Sequence, residues 1–219
     1  MENGDMVLVN YIGRQDGEIF DLTVKEKAEE EGLETEERDF SPIPVLIGEG
    51  FVIEGFEDAL LDMEVGDEKE VEIPKDKAYG DRDSDQVATY PEKEFEKQGV
   101  NVRQGEEIMV GNRRGKVISK GSGRVRVDFN HPLAGKDLEY WIEVVEKVED
   151  DEEKAEHIYS YRVGHGGEEL EFDDGTLKIP KTHSHGDHEH ELPEQLLEEI
   201  QEEIEDHTDL EVKFVGPDE

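Results

Sequence analysis

Apolar and polar positions alternate along most of this chain, and the period of the alternation changes from segment to segment. Residues 6–12 are nearly all apolar and read as a buried strand. Asp16-Gly17 then supplies turn chemistry before Ile19-Phe20-Asp21, a hairpin-like start. Residues 23–38 crowd Glu and Lys around a few apolar positions, the pattern of a solvated surface helix broken near Gly32. Beyond Pro42-Ile43-Pro44, the run 45–48 leads to Val52-Ile53-Glu54-Gly55 and a short helix over 56–63. Its Phe56, Ala59, Leu60 and Met63 stand at i, i+3, i+4 and i+7 and therefore share one face. Gly66-Asp67 ends that helix. Residues 68–73 then alternate charges with Val71 and Ile73, a half-buried antiparallel strand that Pro74 terminates, so the helix is expected to pack on a sheet.

Between Ala78-Tyr79-Gly80 and Asn130-His131-Pro132 the pattern changes to a short helix near 91–98 and strands around Ile108, Val117 and Val127, which reads as an inserted domain. Residues 138–148 return to a long alternating strand with Leu138, Tyr140, Ile142 and Val144 on one face, resuming the first sheet after the interruption. Residues 158–163 and 210–215 look strand-like, and 193–206 look helical with Leu196, Leu197, Ile200 and Ile204 on one side. The expected fold class is α+β, in three domains: 1–80 with 130–150, an insert at 81–129, and a small α/β domain at 151–219. So small a terminal unit gains core by pairing with a copy of itself, which makes a homodimer through it an expectation.

Composition narrows the function classes. A formal net charge of -38 and a pI near 4.4 repel phosphate, which argues against DNA and against an anionic membrane surface. Dense carboxylates are also the balance expected of a protein adapted to high salt, where screening relieves their mutual repulsion. With no cysteine there is no disulfide, thiolate ligand or cysteine nucleophile. The chain opens on Met1-Glu2-Asn3-Gly4-Asp5 and has no 18-residue apolar run, so a soluble, cytoplasmic protein is expected. No Gly-x-Ser-x-Gly elbow points to a hydrolase.

Four segments, in this order and spacing, carry a resemblance: residues 17–21, residues 47–60, Ala78-Tyr79-Gly80, and residues 127–138. Together they resemble the FKBP-type peptidyl-prolyl isomerases, and in particular the SlyD-like branch with an insert-in-flap domain. The resemblance covers roughly residues 5–150. The Glu-rich stretch before Pro42 is similar to a bulge of archaeal members, and residues 151–219 are similar in position and length to the tail unit of their longer forms.

The resemblance implies an FKBP-type sheet wrapped on the short helix, with Tyr11, Phe20, Asp21, Val52, Ile53, Phe56, Tyr79 and Tyr140 around a prolyl ring. In that assignment Asp21, Tyr79, Phe56 and Tyr140 act on the reacting amide, while Tyr11, Phe20, Val52 and Ile53 bind substrate. Phe56 stands at the pocket floor, where many members have Trp, and Tyr140 where Phe is usual. Taken singly, such aromatics are more often plain core. Asp21 and Tyr79, however, are polar groups that a plain core avoids. The implied activity is cis/trans isomerisation of X-Pro bonds without covalent chemistry, cofactor or resident metal. The implied partners are unfolded or proline-containing polypeptides gripped by the insert.

Two features admit other readings. His183, His185, His188 and His190 are spaced closely enough to chelate Ni or Zn, as His-rich tails of SlyD-like proteins do, or they form a solvated polar loop. Arg113, Arg114, Lys116, Lys120, Arg124 and Arg126 cluster within the insert. They would grip acidic clients, touch RNA on a ribosome, or solvate a hairpin face, the commonest fate of short charge runs. A holdase chaperone with an idle pocket is the remaining alternative.

Overall fold

The computed structural model describes all 219 residues except 36–39, 98, 165–169, 186–187 and 217–219, and leaves the side chains of 183–190 undescribed. The chain forms two compact units, Met1–Val71 with Glu139–Glu219, and Glu72–Leu138. Residues 151–219, set apart in the sequence reading, fall in the first of these.

The first unit is built on β1 (Met6–Gln15), the apolar run near the N-terminus. One edge of β1 pairs with both β2 (Glu18–Leu22) and β3 (Ile43–Leu46), each covering part of its length. Pro44 is tolerated because β3 pairs only with β1, so its missing N–H breaks no ladder. α1 (Lys25–Glu30) follows β2 and buries Ala28 against Ile12 and Leu22. α2 (Glu54–Leu61) is the short amphipathic helix, burying Phe56, Ala59 and Leu60, and it leads to β4 (Glu68–Ile73).

The second unit holds β5 (Val87–Pro91), α3 (Glu92–Lys97), β6 (Glu107–Val110), β7 (Arg113–Gly121) and β8 (Arg124–Asp128), with its antiparallel sheet ordered β5-β8-β7-β6. Phe95, Val102, Val117, Val125 and Val127 make its own core, capped by Tyr90, Ile108, Val110 and Phe129. Arg82 pairs with Asp128, which is 4% exposed, while the Asn130 backbone N–H and side-chain amide donate to Asp128 Oδ1 at 2.9 and 2.8 Å. Asn130 also donates to the Asp83 carbonyl at 2.9 Å, tying together the segments that enter and leave the sheet. Arg82 is half exposed and would return to water, so Asp128→Ala should lose only the turn contacts, about 1–3 kcal/mol. Faster amide exchange along β8 of the intact chain is the measurement, and unchanged protection there would contradict it.

β9 (Leu138–Val148) returns the chain to the first sheet and buries Tyr140, Ile142 and Val144, as its alternation requires. The order β2-β1-β9-β4, with β3 also on β1, completes a 5-stranded sheet. α4 (Asp151–Val163) corrects the strand expected at 158–163. Asp150 caps it, its side chain accepting the Glu153 N–H, and Gly164 ends it in the left-handed conformation at φ 97°. Ala155, Ile158 and Tyr159 are buried at helical spacing.

Next come β10 (Glu171–Asp173), β11 (Thr176–Pro180), β12 (Thr182–His185), β13 (His188–Glu191), α5 (Glu194–His207) and β14 (Glu211–Val215). β14 pairs parallel with β11 and β10 antiparallel with it, while α5 packs on α4. The segment read as a His-rich loop is the β12–β13 hairpin, with His183 opposite His190 and His185 opposite His188. The side chains that would chelate a metal lie outside the described residues. Among the described residues, no helix is long and apolar enough to cross a membrane.

Candidate functional site

Tyr11 and Gly13 stand two apart on β1 and so point to the same face of the sheet. Gly13 is flanked by Asp21 on β2 and Tyr140 on β9, and Tyr11 by Ile142, so these side chains form adjoining rows on one face. The β1–β2 register slips after Gly13: Asp21 faces Gly13, Ile19 faces Arg14, and Phe20 is the extra residue of a β-bulge. In a regular strand Phe20 and Asp21 would point to opposite faces. The bulge brings both to the Tyr11 side, where the Tyr11 hydroxyl donates to the Asp21 carboxylate and Phe20 meets Tyr140 edge-on at 5.8 Å.

α2 supplies Phe56 to the same cluster. Its ring stands edge-to-face to Tyr140 at 5.3 Å and 85°, and to Tyr11 at 6.0 Å and 89°. Tyr11 and Tyr140 are themselves 6.0 Å apart. Phe56 is 2% exposed and Tyr140 also buried, whereas Tyr11, Phe20 and Asp21 are partly open to solvent. The cluster therefore has a buried floor and an accessible rim. The Leu22 N–H donates to Asp21 Oδ1 at 3.0 Å, which fixes the carboxylate with its other oxygen toward Tyr11.

Of the residues singled out in the sequence, Tyr11, Phe20, Asp21, Phe56 and Tyr140 are gathered here. Val52 and Ile53 are half-buried just before α2, and the Ile53 carbonyl starts that helix by accepting the Phe56 N–H at 2.9 Å. Tyr79 belongs to the second unit, where its ring stacks on His131 at 3.8 Å. Burial lowers the His131 pKa below the ordinary imidazole range.

Gly13 was missing from the candidate set. A Cβ there would lie 2.6 Å from Phe20 Cζ and 3.0 Å from Tyr140 Cε1, so only glycine lets the two rings close over the strand. A lone glycine inside an apolar strand is the signal that could have found it.

Rings in mutual edge-to-face contact beside one anchored carboxylate can take in a small apolar ring, strip its water and offer a fixed polar point. The set contains no nucleophile. A profile of the FKBP-type peptidyl-prolyl cis-trans isomerases matches residues 1–98. A short-type peptidyl-prolyl cis-trans isomerase of Methanocaldococcus jannaschii is 39% identical over 144 residues, which is 66% of this chain and 92% of that protein. The chain belongs to the FKBP-type peptidyl-prolyl cis-trans isomerase family.

The family likeness extends into the second unit, where an insert domain described as "FKBP26, IF domain" matches residues 89–133. Proteins named FKBP-type peptidyl-prolyl cis-trans isomerase SlyD are similar as well. The one from Escherichia coli K12 is 34% identical over 58% of this chain and 67% of its own length. That from Helicobacter pylori is 30% identical over 53% and 65%.

Proposed function

We propose that this chain isomerises X-Pro bonds of unfolded or nascent polypeptides at the Phe56 cluster, while its inserted domain holds the polypeptide. One observation carries this reading: Phe56, Tyr140, Tyr11 and Phe20 form one aromatic cluster, with Phe20 and Tyr140 closing over Gly13 and Asp21 at the rim. Rotation about a prolyl amide faces a barrier of about 18–20 kcal/mol, because the planar bond must lose its partial double-bond character. The twisted amide has lost charge separation, so a water-poor aromatic site favours it over the planar ground state. Asp21 orients the peptide from the rim, and its bond from Tyr11 holds that side chain in place.

The insert contributes by tethering. Val100 is open to solvent in a cleft where Phe95, Val100 and Val102 meet Glu92, Glu96 and Lys120, and Met109 on β6 is 60% exposed, apolar points that an extended segment can cover. A client held on the same chain presents its prolyl bonds to the site at high effective concentration. A cytoplasmic setting and adaptation to high salt are part of the proposal, the latter resting on the net charge of -38.

Protease-coupled turnover of a proline peptide across a KCl series tests the reading. Asp21→Ala should lower kcat/KM about tenfold, by loss of one fixed polar contact, and leave suppression of client aggregation intact. Turnover unaffected by the substitution would remove Asp21 from the site. Parallel loss of both activities would contradict the division between site and insert.

A further inference from the structure

Residues 48–51 join β3 to α2 and run directly into Val52 and Ile53, and this loop is gripped from two sides. From α2, Glu57 Oε1 accepts the Gly50 N–H at 3.0 Å. Burial raises the Glu57 pKa, opposed by the N–H groups of Gly50, Gly48 and Phe51. From α4, more than a hundred residues along the chain, Tyr161 stacks on Phe51 with ring centroids 3.8 Å apart and planes at 9°. The Tyr161 hydroxyl donates toward the carbonyls of Gly50 and Phe51 at 3.2 and 3.3 Å.

This second grip is itself anchored. Arg162 lies 5.4 Å from the Tyr161 ring centre and 5.9 Å from that of Phe51. It donates to Glu203 on α5 through Nε at 2.6 Å and Nη2 at 2.8 Å, and Glu203 is 7% exposed. Bidentate geometry at a buried carboxylate fixes the guanidinium in both position and plane. At the end of α5, His207 Nε2 also reaches Glu49 at 3.3 Å. A continuous set of contacts thus runs from α5 through Arg162 and Tyr161 to Phe51. From there it passes along the backbone to Ile53, whose carbonyl receives the Phe56 N–H.

We propose that Tyr161 is a positioning residue for the isomerase site, through which the C-terminal segment sets the placement of Val52 and Ile53. The inference rests on the isomerase reading given above. The ring and hydroxyl contacts of Tyr161 run to Phe51, Gly50 and Arg162 rather than to the aromatic cluster that the chemistry requires. It acts on Phe51, one residue before the substrate-binding pair. Holding that backbone fixes how substrate meets the site, so the effect belongs in KM, and misplacement by a fraction of an ångström is enough to be felt.

The experiment compares full-length wild type with Tyr161→Leu, Tyr161→Phe and Ala155→Gly. Steady-state peptide turnover, calorimetric melting and amide exchange of residues 50–53 are the readouts. Tyr161→Leu removes both stack and hydroxyl and should raise KM about five- to tenfold, with kcat within about twofold and faster exchange at 50–53. Tyr161→Phe keeps the stack and should recover most of the KM, since only the shared hydrogen bond is lost. Ala155→Gly, at a buried position of α4 six residues before Tyr161, weakens the helix by about 1–2 kcal/mol and leaves the Tyr161 side chain intact, so it should lower melting while KM holds.

An unchanged KM and unchanged exchange in Tyr161→Leu would overturn the proposal. So would an equal rise of KM in Ala155→Gly, since that would trace the effect to general stability. If Tyr161→Leu does not fold, Tyr161→Phe decides, an exchange rate at 50–53 equal to wild type counting against the proposal. A wild type without turnover overturns the isomerase reading and this inference with it. An active wild type that depends on Asp21 but not on Tyr161 overturns this inference alone.

Discussion

Phe56→Ala should cost about 3–5 kcal/mol of folding stability and reduce isomerisation by two orders of magnitude or more, on the order of 100-fold. The side chain is 2% exposed and contacts Tyr11 and Tyr140 edge-on, so its removal leaves a hole bounded by rings that cannot collapse into it without leaving their rotamers. Edge-to-face pairs contribute about 0.5–1.5 kcal/mol beyond area burial, and two of them vanish together. A small domain has about 5–15 kcal/mol in total, so the variant sits close to its unfolding threshold. Phe56→Leu separates the two effects. It retains much of the apolar volume and should lose about 1–3 kcal/mol, less than Phe56→Ala, yet it lacks the flat floor on which a prolyl ring packs. Urea midpoints and peptide turnover on the folded protein are the measurements. Turnover of Phe56→Leu equal to wild type would show that the floor of this cluster takes no part in catalysis.

Where the pattern of the chain was local, it was readable. β9 declares itself through Leu138, Tyr140, Ile142 and Val144, because a strand buried on one face must place apolar residues at every second position. α2 declares itself in the same way through Phe56, Ala59 and Leu60 at helical spacing. Residues 158–163 carry Ile158, Tyr159, Tyr161 and Val163, all strand formers, so propensity alone points to a strand there. Asp150 with Glu153 at the start, and Gly164 at the end, were the better evidence for α4.

The site was legible only in part for a different reason. Asp21 and Phe56 lie in the segments that carry the family resemblance, but the bulge that turns Phe20 toward Tyr140 depends on the register between strands. The contact of Tyr161 with Phe51 joins residues 110 positions apart and leaves no local trace. The acidity of the chain marks neither feature, since Asp21 is one carboxylate, bonded to the Tyr11 hydroxyl, among many that face solvent.

Gly13→Ala should lower kcat/KM about 10- to 100-fold while changing stability by only about 1–3 kcal/mol. Alanine is ordinarily an improvement over glycine inside a strand, because it restricts the unfolded chain. At this position that gain is opposed by ring atoms of Phe20 at 2.6 and 2.8 Å and of Tyr140 at 3.0 Å from the new methyl. Tyr140 is buried against Phe56 and has little room to yield, whereas Phe20 is partly open and can swing outward. The protein therefore remains folded and loses the wall of the site, an outcome opposite in balance to that of Phe56→Ala. Gly17→Ala is the matched comparison. Gly17 also lies in the β1–β2 hairpin, at φ 81°, but its Cβ would meet no atom within 4 Å. Its cost is backbone strain alone, about 1–2 kcal/mol, with turnover unchanged. If Gly13→Ala matches Gly17→Ala in both turnover and urea midpoint, the close approach of Phe20 and Tyr140 over β1 is not what shapes the site.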